Sequence, residues 1–222
     1  MDSLTATSEH FIINYWIEDA HAIGQILELL ENNYNRITSF LQVELPEKSV
    51  LCVYPSIDKF HAAIGRAGAP DWVAGCFDED SKIISIVSPN NPGTAHDYDS
   101  VLTIAVHELV HLAAALVNNN APSYLAEGLA TFLAGQEDNV KEHIQEGIAN
   151  DNFPTIVQLK NMTDGIYQYG YAFVKYIVSE YTVDDMLKLY KTADISRTFA
   201  IDENEFHKNW KAYLIRAYSQ CG

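Results

Sequence analysis

The chain has 222 residues, 48% of them hydrophobic and 11% aromatic, enough to bury a full core as one domain or as two packed lobes. Lys and Arg number 14 against 30 Asp and Glu, and the net charge of -16 argues against nucleic acid or an anionic membrane surface as partner. Cys52, Cys76 and Cys221 are scattered without metal-ligand spacing, the opening MDSLTATSEH is polar, and no apolar run reaches the roughly 18 residues that cross a bilayer; a reduced, cytoplasmic protein with no membrane segment is expected.

Residues 10–17 (HFIINYWI) are rich in β-branched and aromatic side chains and predict a strand. Over residues 19–41 the apolar positions Ile23, Ile26, Leu27, Leu30, Tyr34, Ile37 and Leu41 recur at three and four, so an amphipathic helix follows. Residues 50–54 (VLCVY) predict a short buried strand, and residues 57–66 a short helix that Gly65 or Gly68 ends. Residues 72–77, a turn over 78–81 and residues 82–87 predict a β-hairpin. The loop of residues 88–98 (SPNNPGTAHDY) then leads into a helix, with Asp97, Asp99 or Ser100 as its cap. Beyond it the pattern is helical: residues 122–134, 137–150, 167–181, 183–192 and 202–218. The expected class is α+β, an N-terminal α/β lobe with a small sheet over residues 1–97 and a helical lobe over 98–222, forming one compact unit.

Residues 101–117 (VLTIAVHELVHLAAALV) are apolar around almost the whole helical circumference, which marks a buried helix. Its polar side chains, Thr103, His107, Glu108 and His111, fall in one sector of roughly 140°. His107 and His111 stand one turn apart within about 40°, so both imidazoles can reach one ion, with Glu108 at the edge of that face. Two imidazoles and a carboxylate buried without partners cost several kcal/mol, and a metal ion satisfies them. A hydrogen-bonded cluster of core histidines is the competing account. A catalytic zinc takes a third protein ligand and keeps one position open. Glu127 is the only charged residue from 122 to 135, on the next helix, and is the natural third ligand. Of the other histidines, His10, His21, His61, His96, His143 and His207 are expected at the surface, with His96 the one near enough to face the site.

HELVH followed by PSYLAEGLATF resembles the gluzincin metallopeptidases, in particular their aminopeptidase-like branch, also called peptidase MA-like. Those enzymes carry His-Glu-x-x-His and then Trp-x-x-Glu-Gly; Tyr124 fills the tryptophan position here, and Thr131 stands where the thermolysin-like branch has an aspartate. The resemblance implies a zincin-like fold with the active-site helix between the lobes. It also implies one Zn2+ per chain on His107, His111 and Glu127, hydrolysis of a peptide or polypeptide, and Glu108 as general base. Tyr-x-x-Gly in that branch places a tyrosine hydroxyl at the substrate carbonyl, which maps onto Tyr167, with Tyr169 and Tyr171 if the register slips. The Gly-x-Met-x-Asn motif that reads a free amino terminus has no counterpart in residues 82–91, so exopeptidase specificity is not implied. A peptide pairing with the strand of residues 82–87, or with its hairpin partner, is the expected binding mode. A module that binds metal and peptide without catalysis is the alternative, and retention of Glu108 favours the hydrolase.

Overall fold

The computed structural model describes residues 3–219; Cys221 lies outside the described residues. The fold is α+β, with helices far outnumbering the strands of one small mixed sheet. The chain divides into two compact units that part between Leu116 and Val117.

The N-terminal unit holds β1 (Leu4–Thr7), β2 (Phe11–Tyr15), α1 (Ala20–Leu41), β3 (Ser49–Tyr54), α2 (Ile57–Ala63), β4 (Gly75–Asp78), β5 (Ile83–Val87) and α3 (Tyr98–Ala115). The sheet order is β1-β2-β3-β5-β4. β2, β3 and β5 run parallel through the two helical crossovers, and β1 and β4 close the sheet antiparallel at its edges. In β3 every second residue, Ser49, Leu51 and Val53, is buried, the period-two pattern of a strand with one face on the core. Along α1 the same arithmetic at period 3.6 buries Ile23, Ile26, Leu30, Ile37 and Leu41.

Several expectations are corrected. β1 was not anticipated, because its residues are mostly exposed and carry no apolar alternation. α3 belongs to the N-terminal unit, where it packs on α1, β4 and β5, so the boundary falls nineteen residues beyond the expected division after residue 97. His61 is 2% exposed, its Nε2–H donating to the Val73 carbonyl at 2.8 Å, so it is a core residue and not a surface one. His10 is half-buried, stacked on Tyr34 and bonded through Nδ1 to Glu31 at 2.6 Å.

The C-terminal unit is helical: α4 (Ser123–Ala134), α5 (Asp138–Ala149), α6 (Ile156–Lys160), α7 (Ile166–Glu180), α8 (Val183–Thr192), α9 (Ile195–Phe199) and α10 (Glu203–Tyr218). The five-residue helices α6 and α9 are too short to show a periodic stripe and were not anticipated. Its core gathers Tyr124, Phe173, Phe206 and Trp210, with Phe173 meeting Tyr124 edge-on at 5.4 Å and Trp210 at 5.4 Å. Asn118 donates to the Tyr190 carbonyl at 2.9 Å and so ties the segment before α4 to the end of α8. Among the described residues no helix is long and apolar enough to cross a membrane.

Candidate metal centre

α3 starts where its cap permits. The Asp97 carboxylate accepts from Ser100 N at 2.8 Å and the Ser100 hydroxyl accepts from Asp97 N at 2.9 Å, a capping box that satisfies two of the open N–H groups. Hydrogen bonding from Ser100 N, then from its hydroxyl, holds the Asp97 carboxyl below its usual value. From there the apolar positions Val101, Leu102, Ala105, Val106, Leu109, Val110, Leu112, Ala113 and Ala114 are buried, and they carry His107 and Glu108 into the interior with them. Both of these polar residues are 7% exposed.

The spacing of four brings the imidazoles together. His107 and His111 lie with ring centroids 4.7 Å apart at 70°, and their Nε2 atoms are 3.0 Å apart. Two nitrogens on a tetrahedral zinc at about 2.0–2.1 Å would be separated by roughly 3.3 Å, so the pair is already at nearly chelating distance. A hydrogen bond between the two rings also satisfies this geometry.

The third donor is Glu127. α4 opens behind Pro122, closes on Gly135 in the left-handed region (φ 75°) and carries Glu127 near its middle. The ligand-type atoms of buried His107 and half-buried His111 and Glu127 all lie within 4.8 Å of one another, and this group could hold a metal ion. Two neutral nitrogens and one carboxylate are a donor set that fits zinc.

Glu108, on the same helix as the two histidines, is not one of that group. Its side chain lies against β4, where the position of a Cβ on Gly75 would be 2.7 Å from Oε1 and 3.0 Å from Cγ. Burial, and then the Glu108 carboxylate, push the neighbouring Cys76 thiol above its ordinary value. Among the described residues β4 pairs only with β5, so it is an edge strand of the sheet, as β1 is on the opposite side; β5 is paired on both sides and cannot receive an added strand. Of the two strands nominated for peptide pairing, the hairpin partner is therefore the available one. The approach to β4 is braced: His96 Nε2–H donates to the Trp72 carbonyl at 3.0 Å, and Asp71 accepts from the Thr94 hydroxyl at 2.6 Å. Those ties hold the backbone while the Trp72 side chain stays 59% exposed.

The three tyrosines of the Tyr-x-x-Gly region separate clearly. Tyr169 is 6% exposed and its hydroxyl donates to the Asn152 carbonyl at 3.0 Å. Tyr171 is 4% exposed and hydrogen bonded to Glu137; burial first, then that carboxylate, raise its phenol. Both are committed to the core of the C-terminal unit, and Tyr167, at 37% exposure, is the one that reaches solvent. It lies one turn before Gly170, where α7 meets α4 at Gly128, the residue after Glu127. Gly75 and the bracing of Trp72 by His96 were not read from the sequence; a glycine inside a predicted hairpin strand was the available signal for the first. Compared with known proteins, the chain matches no family model and no curated sequence.

Proposed function

We propose that this chain is a zinc-dependent peptidase of gluzincin type, acting on a peptide or unfolded polypeptide. The observation that carries the reading is the convergence of His107, His111 and Glu127 donor atoms within 4.8 Å. His107 and His111 would hold the ion through their imidazole nitrogens, and Glu127 through its carboxylate. Zinc, when bound, supplies Lewis acidity and brings the pKa of a coordinated water down to about 7. Glu108, next in sequence to His107 and outside the donor group, is the general base of this reading: its carboxylate would accept a proton from the attacking water and deliver it to the leaving amine. Tyr167 donates its hydroxyl hydrogen to the substrate carbonyl oxygen as negative charge gathers there. β4, the edge strand against Glu108, would hold the substrate extended through main-chain hydrogen bonds. Free Cys52 and Cys76, whose thiols burial pushes up, suit a reducing compartment such as the cytoplasm.

The test is metal analysis together with hydrolysis of a mixed peptide library by wild type and Glu108→Gln. The expected result is zinc near one per chain in both and turnover in the wild type alone. Zinc in both with turnover in neither assigns the site to a module that binds without catalysis. No zinc in either removes the reading.

A further inference from the structure

We propose that Gly75 is a positioning residue for Glu108: the missing side chain at this one place on β4 is what allows the carboxylate to seat against the strand, on the helix that carries the two imidazoles. The catalytic half of this inference rests on the peptidase reading; the packing half does not.

A strand interior normally disfavours glycine, which packs nothing and loses the most conformational freedom on folding. Gly75 has no conformational excuse, because it is not among the glycines with positive φ and its backbone is one any residue adopts. The reason is on the facing helix. A Cβ at Gly75 would lie 2.4 Å from Ile104 Cγ2, 2.7 Å from Glu108 Oε1 and 3.0 Å from Glu108 Cγ. Ile104 and Glu108 are one turn apart on α3, so both present the same face to β4. Glu108 is 7% exposed, and a carboxylate pushed off this strand must be reseated within the interior.

A methyl group at residue 75 therefore moves the base by a fraction of an ångström to an ångström. Misplacement on that scale lowers kcat by about 10- to 100-fold. KM changes little, because a peptide added to β4 is held by main-chain groups that the substitution leaves in place. Zinc content should be retained, since the atoms nearest to a Cβ at residue 75 belong to Ile104 and Glu108 and not to a donor residue.

The experiment uses Gly75→Ala, alone and with Ile104→Ala, each with Glu108 intact and as Glu108→Ala. The Ile104→Ala background removes the nearest obstacle, so the added methyl then meets Glu108 alone and the chain is spared the larger clash. The readouts are Tm of the metal-free protein, zinc content, and kcat and KM separately. Gly75→Ala is expected to lower Tm by about 2–8 °C in the wild-type background. With Ile104→Ala a smaller loss remains, and with Glu108→Ala added it disappears. In the Ile104→Ala background Gly75→Ala should still reduce kcat about 10- to 100-fold at constant KM and full zinc. An identical Tm cost whether Glu108 is whole or truncated overturns the proposal, as does an unchanged kcat. Coupling in Tm with a wild type that hydrolyses nothing removes the peptidase reading and leaves Gly75 as the seat of Glu108; turnover without coupling does the reverse.

Discussion

Gly75 in the N-terminal unit and Gly128 in the C-terminal unit each allow a close approach, but they meet different kinds of neighbour. A Cβ on Gly75 would meet Ile104 and the far end of the Glu108 side chain. A Cβ on Gly128 would meet the carbonyl carbon and oxygen of Gly170 at 2.4 Å each, and one on Gly170 would lie 2.8 Å from the Tyr124 carbonyl oxygen. Side-chain ends can rotate away; backbone cannot without the helices separating. The approach at Gly75 therefore governs where a functional group stands, and the crossing of α4 and α7 governs whether the C-terminal unit packs at all. One candidate ligand, Glu127, is adjacent to the second of these, so its placement inherits the rigidity of that crossing.

The largest effect should come from Gly128→Ala. Forcing two helix backbones apart should cost the C-terminal unit about 3 kcal/mol or more, read by thermal melting and by hydrogen exchange over α4 and α7. A loss below about 1 kcal/mol would mean that the crossing yields as readily as the Gly75 contact, and the contrast would fail. Glu127→Ala should leave that crossing intact and weaken zinc binding by roughly 100-fold or more, measured by competition with a chelator, whereas Glu108→Gln should leave zinc affinity within a few-fold. Equal losses from the two would place Glu108 among the donors.

Tyr124→Phe probes the α4 side of the crossing more gently. Its hydroxyl is buried with no hydrogen-bond partner among the described residues, and burial followed by the Glu203 charge raises its phenol. Removing the oxygen should be neutral or stabilising by about 1 kcal/mol. Destabilisation beyond that would reveal a partner for the hydroxyl.

Acid should act on both units in small steps. Hydrogen bonding by Ser100 in one unit and by Lys175 and Lys211 in the other lowers the folded-state pKa of Asp97, Glu137 and Asp151. For Glu31, burial pulls upward but hydrogen bonds from Ser8 and His10 outweigh it, and its pKa is also lowered. A lowered folded pKa contributes stability above the unfolded value near about 4, and that contribution is lost as pH falls through the folded value. Denaturant midpoints should thus be flat from about pH 5 upward through neutrality as far as these groups are concerned, and decline below about pH 4. A rise in stability on acidification would contradict the sign.

Much of this protein is legible from local patterns. The His107 and His111 spacing, the all-round apolar helix that carries them, the stripe on α1 and the hairpin of β4 and β5 are repeats of two, three or four residues, and hydrogen-bond geometry converts such repeats directly into a shared face. The one charged residue on α4 could be nominated because an isolated carboxylate among apolar neighbours needs a partner. Tertiary structure alone decided the rest. It made β4 an edge strand and β5 an interior one, grouped α3 with the sheet, buried His61, and committed Tyr169 and Tyr171 to the core. It also set Gly75 against Glu108. Each of these depends on which distant segments come into contact, and contacts at long sequence separation leave no period in the chain for a reader to find.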